Sequence, residues 1–237
     1  MNFRNYMTLA AIITWLAACG QGEPVDNGGV LGVPSGTYAV DKSHTYVTFS
    51  YFHQGLSYPL LRITGIDGEL ELDNSALENS TVSIAVDVDS IRTNLDYFDK
   101  ELASRKFFHA DKYPHITLST HSYTPLNESV GELIGFVTIR DITKPIVLSV
   151  VINGAMDHPM LNKPVIGFSA SGSLNRSDFG LDRFVPMVGD QVAISIEAEF
   201  LRGSNDASAA AVKISADALS NADPASLQVS ADLGAEQ

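Results

Sequence analysis

The chain has 237 residues, of which 45% are hydrophobic and 18% charged, the composition of a globular protein of one or two domains. Its formal net charge of −13 argues against a nucleic-acid partner, because no basic patch is present to neutralise phosphates. The single cysteine excludes an internal disulfide.

Residues 1–18 read as an export signal. Arg4 supplies the positive start, and the apolar run from Met7 to Leu16 is too short to span a membrane. It ends in Leu16-Ala17-Ala18-Cys19, then Gly20, which resembles the lipobox of a bacterial lipoprotein. The resemblance implies cleavage before Cys19 and lipid (palmitate among the acyl chains) on Cys19. The protein would then be a lipoprotein of the bacterial cell envelope, facing the periplasm. Gly20, rather than aspartate, points to the outer membrane over the inner. The alternative is an ordinary secretory signal with a stray cysteine. Residues 19–35, rich in Gly and Pro, read as a flexible tether.

Strands follow. From Thr45 to Phe52 nearly every residue is β-branched or aromatic. Side chains alternate along a strand, so Thr45, Val47, Phe49 and Tyr51 share the more apolar face. His44 and His53 mark its ends. Leu61 to Asp73 alternates apolar residues with acids, and Thr81 to Asp89 alternates again. At Asn94 the period changes. Leu95, Phe98 and Leu102 recur at helical offsets, with Asn94 as the expected N-cap. The adjacent Phe107 and Phe108 cannot share one strand face, and they are placed at a loop or helix end over a barrel mouth. Strands resume at 116–123, 131–140, 144–153, 165–175 and 191–201.

About eight strands, one helix and no βαβ alternation predict an all-β fold, an eight-stranded antiparallel barrel over residues 36–202. The interior of such a barrel is either filled by side chains or lined around one small ligand. Residues 203–237 turn to Ala, Ser and Asp without aromatics and read as an acidic disordered tail.

The barrel region also resembles the YceI-like family of periplasmic lipid- or polyisoprenoid-binding proteins. The marks are Asp41-Lys42-Ser43-His44, His53-Gln54-Gly55-Leu56-Ser57, Ser90-Ile91-Arg92-Thr93 and Leu102-Ala103-Ser104-Arg105-Lys106-Phe107-Phe108. Tyr113-Pro114-His115-Ile116, Gly135-Phe136-Val137-Thr138, Thr143-Lys144-Pro145-Ile146 and Arg176-Ser177-Asp178-Phe179-Gly180 follow in order. The resemblance implies a lipocalin-like barrel whose lumen holds an isoprenoid of polyprenyl or quinone type. No cofactor is expected beyond that ligand, and a homodimer is compatible with the reading. Phe49, Tyr51, Leu95, Phe98, Leu102, Phe107, Phe108 and Phe179 are the candidate lipid-binding residues. His44 and His53 are candidates to hydrogen-bond a polar head, with a structural role at the strand ends as the alternative, and Arg176 would hold such a head, since a guanidinium forks onto a pyrophosphate or carboxylate. Core packing is the alternative for the apolar residues, and a salt bridge with Asp178 or another acid for Arg176.

Enzymatic and metal chemistry are read against. Asp41, Ser43 and His44 are too close along the chain to converge as a triad, and no Gly-x-Ser-x-Gly elbow is present. His115 and His121 share the strand face opposite Ile116 and Leu118, toward solvent, and no metal-ligand spacing is recognisable. A barrel with a filled core, acting through its surface in structure or stress response, is the second reading.

Overall fold

A computed structural model describes residues 29–203. The expected export signal, Cys19 and, but for Gly203, the acidic tail lie outside the described residues. Eleven strands form among the described residues: β1 (Gly36–Val40), β2 (Tyr46–His53), β3 (Leu60–Ile63), β4 (Ile66–Leu72), β5 (Thr81–Asp87), β6 (Ile91–Arg92), β7 (His115–Pro125), β8 (Val130–Ile139), β9 (Ile142–Asp157), β10 (Pro164–Asn175) and β11 (Val188–Arg202). One α-helix, α1 (Asp96–Ala103), lies between β6 and β7.

The eleven strands make eight staves. β1 and β2 run end to end along β11, with Val40 opposite Phe200 and Val47 opposite Ile196. β3 with β4, and β5 with β6, make a single bent hairpin. The staves follow one another as an antiparallel meander, and β11 returns to β1 and β2 to close it. The result is the expected eight-stranded antiparallel barrel. Closure leaves no sheet edge along the wall, which removes the template for edge-to-edge aggregation.

Three interruptions have local causes. At Asp41–Thr45 the Asp41 carboxylate accepts from Ser43 N–H at 2.8 Å, and the chain bulges before rejoining β11. At Thr64-Gly65 the hairpin kinks, with Asp87 N–H donating to Gly65 O at 2.9 Å and Thr64 N–H to Ser90 O at 3.2 Å. A side chain at Gly65 would lie 2.9 Å from Ser90 Cβ. In β7 a bulge falls between Thr120 and Ser122. Ile116, Leu118 and Thr120 face the lumen before it and Tyr123 after it, so the inward parity shifts by one. His115 and His121 are both exposed.

The inward faces form the core. Ile146, Leu148, Val150 and Ile152 of β9 are all buried. Val47, Phe49 and Tyr51 of β2 pack against the cluster that holds Ile152, while Tyr46 and Phe52 on the opposite face are exposed.

One end of the barrel is sealed. Residues 29–35, part of the stretch expected to be a tether, pack beneath it. Asn74 holds them: its Oδ1 accepts from Leu31 N–H at 2.9 Å, its Nδ2 donates to Val33 O, and its own N–H donates to Ser35 Oγ at 2.9 Å. Tyr38, fully buried, donates its hydroxyl to Pro34 O at 2.6 Å. Asn74 and Val33 are each 2% exposed, so truncating Asn74 strands buried polar groups. Asn74→Ala is expected to lower the unfolding free energy by about 2–3 kcal/mol in denaturant titration. A change below roughly 0.5 kcal/mol, the size of an ordinary surface substitution, would mean that this seal carries little of the stability.

Candidate functional site

The lumen is an apolar cavity of about 560 Å³, within the roughly 300–1,000 Å³ of small-molecule sites. Leu, Ile and Val from every stave wall it, joined by Phe49, Phe168 and Phe200. No carboxylate lines it among the described residues. Leu31, Leu72 and Leu77 floor the sealed end, and Phe98, Phe107, Phe184 and Met187 stand at the other.

That other end is the mouth, built by two long connections. The first, residues 93–114, carries α1. Its cap is not Asn94. Thr93 donates its hydroxyl and its N–H to the Asp99 carboxylate at 2.6 and 2.7 Å, and Leu95 N–H donates to Thr93 Oγ1 at 3.0 Å. These bonds hold Asp99 below the usual carboxylate range, chiefly through the Thr93 hydroxyl. Leu95 is the N-cap residue and half exposed, pointing away from the lumen. Phe98 and Leu102 turn inward. Phe98 meets Phe107 edge-on at 6.4 Å between ring centroids, and Phe108 N–H is held by Leu102 O at 2.9 Å. Both adjacent phenylalanines reach the lumen because they lie in a turn after the helix, where strand alternation does not apply.

The second connection is residues 176–187, and Arg176 organises it. Its Nε donates to Gly189 O, Nη1 to Arg183 O and Nη2 to Val188 O, each at 2.9 Å, and Nη1 also reaches Leu181 O. Ser177 donates from its N–H and hydroxyl to the Asp190 carboxylate at 2.9 and 2.6 Å. The alternative reading, a salt bridge with Asp178 or another acid, does not hold among the described residues. The guanidinium fork is spent on backbone carbonyls, so Arg176 clasps the loop instead of standing free for an anionic head. Burial lowers its pKa, opposed by Asp190, Tyr51 and Asp182.

Eight of the ten expected lipid-binding residues line the cavity: Phe49, Tyr51, His53, Phe98, Leu102, Phe107, Phe108 and Arg176. Leu95 and Phe179 do not. Phe179, 2% exposed, packs into the core with Leu133, Val137 and Leu181 rather than on the cavity wall. Burial raises the Tyr51 phenol pKa, with Arg176 opposing. Two wall hydroxyls, Thr45 Oγ1 and Tyr123 Oη, are buried without a partner. The Tyr123 phenol sits over Gly131, where a Cβ would lie 2.3 Å from the oxygen. Sequence reasoning missed Leu31 and Leu77 at the floor and Phe184 and Met187 at the mouth. Each lies in a segment without strand period, so no repeating signal marked it.

His44, an expected head-group ligand, is outside the lumen. Its Nδ1 lies 2.8 Å from Asp41 Oδ2 and 4.0 Å from Glu199 Oε2, the one such cluster among the described residues. The Asp41 hydrogen bond raises the His44 pKa above its ordinary 6.5. Burial pushes Asp41 up, but hydrogen bonds from His44 and Ser43 outweigh it and leave the carboxyl lowered. The raised histidine contributes stability in full below about pH 6.5 and loses it as pH rises through the folded value. The lowered carboxylate contributes above about pH 3.8 and loses it as pH falls through its own folded value. Titration of His44 by NMR is expected to give a midpoint above 6.5 that falls back toward 6.5 in Asp41→Asn. An unchanged midpoint would show that the pair is not coupled in solution. At the mouth, Arg176→Met leaves four carbonyls without their donor. It is expected to destabilise the fold by about 3 kcal/mol and to open 181–188 to proteolysis before global unfolding.

Chains similar to this one occur in other bacteria. Protein YceI of Salmonella arizonae is 27% identical over 164 residues, covering 68% of this chain and 85% of its own. The crystal structure of the Campylobacter jejuni YCEI protein matches with a TM-score of 0.59 at 26% identity, over 65% of this chain and 90% of that one. A polyisoprenoid binding domain from Saccharophagus degradans shares the fold with a TM-score of 0.56 at 10% identity, over 70% of this chain and 98% of that one. The YceI-like domain model matches residues 38–200, from the first strand to the strand that closes the barrel, and the chain belongs to the YceI-like family.

Proposed function

We propose that the barrel binds an isoprenoid lipid of polyprenyl or quinone type in its lumen and sequesters or transports it without chemical change. The observation that carries this reading is the 560 Å³ cavity itself, walled by aliphatic and phenyl groups and open at one end. The polyisoprenoid binding named for the Saccharophagus degradans domain supports the same ligand class. Each fully buried isoprene unit of five carbons contributes about 4 kcal/mol. After several kcal/mol lost on association, three units give about micromolar affinity. Among the described residues no hydroxyl on the wall is hydrogen-bonded to a histidine or a carboxylate, which favours binding over catalysis. A filled core acting through its surface is disfavoured by the open lumen. The lipobox-like Cys19 supports a lipid-anchored form in the bacterial envelope, facing the periplasm, at the outer membrane over the inner.

The test uses residues 29–203, which hold every described strand and both barrel ends, exported behind an ordinary signal so that no acyl anchor enters the extract. Mass spectrometry of the organic extract is expected to find one stoichiometric isoprenoid. Ala170→Trp, which puts an indole into the lumen, is expected to cut occupancy at least about tenfold, the loss that roughly 60 Å² of apolar contact produces. An empty wild-type extract that also takes up no added quinone or polyprenyl phosphate would overturn the reading.

A further inference from the structure

The mouth carries a second apolar surface, on its outside. Leu56 is 82% exposed, Tyr97 69% and Met187 65%. Tyr58, Leu60 and Phe184 are exposed with them. They come from three separate segments that the fold joins into one arc. Gln54 N–H donates to Met187 O at 3.1 Å, which sets the 54–59 loop against the 176–187 loop. β3, which begins at Leu60, pairs with β6 at Arg62 and Arg92, just before the helix that carries Tyr97. Side chains this large and this exposed, joined into one arc, mark an interaction surface; the sealed end exposes a set of its own, Leu126, Met156, Met160 and Leu161, but no tyrosine.

Charge separates the mouth pole from the rest. The mouth connections, residues 54–59, 93–114, 140–141 and 176–187, hold seven Lys or Arg and seven Asp or Glu. The remainder of 36–202 holds six against fourteen. The pole is neutral, and the net charge of the barrel, −8, lies on the wall and the sealed end. An anionic bilayer surface repels this body least at the mouth. The exposed tyrosines have the apolar body and polar tip that favour the level of lipid head groups.

We infer that this rim docks the mouth onto a phospholipid bilayer, so that a ligand passes between membrane and lumen without crossing bulk water. The inference rests on the lipid-binding reading for its purpose, but bilayer contact does not require a filled lumen. A second copy of the chain meeting rim to rim is the competing occupant. It would bury the same side chains but would gain nothing from a neutral pole on an anionic body beyond reduced repulsion.

Flotation of residues 29–203 with vesicles of phosphatidylethanolamine and phosphatidylglycerol, 3:1, tests it. Wild type is expected to float. The triple variant Leu56→Asp, Tyr97→Asp, Met187→Asp is expected to bind at least about tenfold more weakly, as removal of roughly 60 Å² of apolar contact already predicts. Its denaturation midpoint checks that it folds. Met160→Asp, on the exposed hairpin at the sealed end, and Ala170→Trp, inside the lumen, are both expected to float as wild type. Loss of flotation in Ala170→Trp would tie membrane contact to the ligand and overturn the rim as its cause. Wild type that does not float, a triple variant that floats equally, or a wild-type dimer in sedimentation that the triple variant abolishes while vesicles are ignored would each overturn it.

Discussion

Everything in the molecule depends on the return of the last strand to the first. β11 pairs through its C-terminal end with β1, at Tyr38 opposite Arg202, and through the rest with β2, at Phe49 opposite Ile194. These contacts join residues separated by well over a hundred positions. Closure at such separation is entropically costly and slow, and no local turn assists it. It is also what makes an interior. Without β11 on β1 and β2, the inward faces of β2 and β9 would look onto water.

The interior so made is larger than its side chains fill. Cavities in packed cores cost roughly 24 cal/mol per Å³. For 560 Å³ that is on the order of 10 kcal/mol, comparable with the net stability of a whole domain. Water entering through the open mouth makes that figure an upper bound, and an apolar molecule that fills the lumen recovers part of it. The same arithmetic explains why the wall is indifferent to chemical detail. Burial rewards apolar area, and area counts carbons rather than identifying them. Discrimination falls to the few polar groups, the unpartnered Thr45 and Tyr123 hydroxyls on the wall and His53, Gln54 and Arg183 at the mouth beside the clasped Arg176.

The barrel was largely legible because its signal is periodic. Alternation in Tyr46–His53 and in residues 146–152 of β9 marks the inward face. It was less legible where one hydrogen bond replaces a pattern. The kink at Thr64-Gly65 and the bulge at Asp41–Thr45 divide staves that read as continuous or begin late. The helix cap belongs to Thr93 and Asp99, two residues whose pairing shows only in three dimensions. Leu95 satisfies helical spacing but falls at the cap, where the side chain leaves the apolar stripe. Phe179 sits in a motif that marks the family, yet it serves the core behind the wall. The segment 29–35 has the composition of a linker. It is fixed by Asn74, a residue in a turn forty positions away, and composition carries no trace of that.

The clasp on Arg176 and the lining by Phe98 and Phe107 lie at one pole of the barrel. The other pole holds both ends of the described chain, Gly29 beside Asn74 and Gly203 bonded to Thr37 O. Whatever precedes or follows the barrel therefore attaches at its base. A partner domain, a tether or a surface coupled through either terminus would hold the molecule upright with its opening turned outward. Nine residues lie between Cys19 and Gly29, and the ten steps, fully extended, reach at most about 35 Å. On a chain anchored there, the opening and the anchoring surface lie on opposite sides of the barrel, so the two poles are suited to facing two different surfaces across a gap.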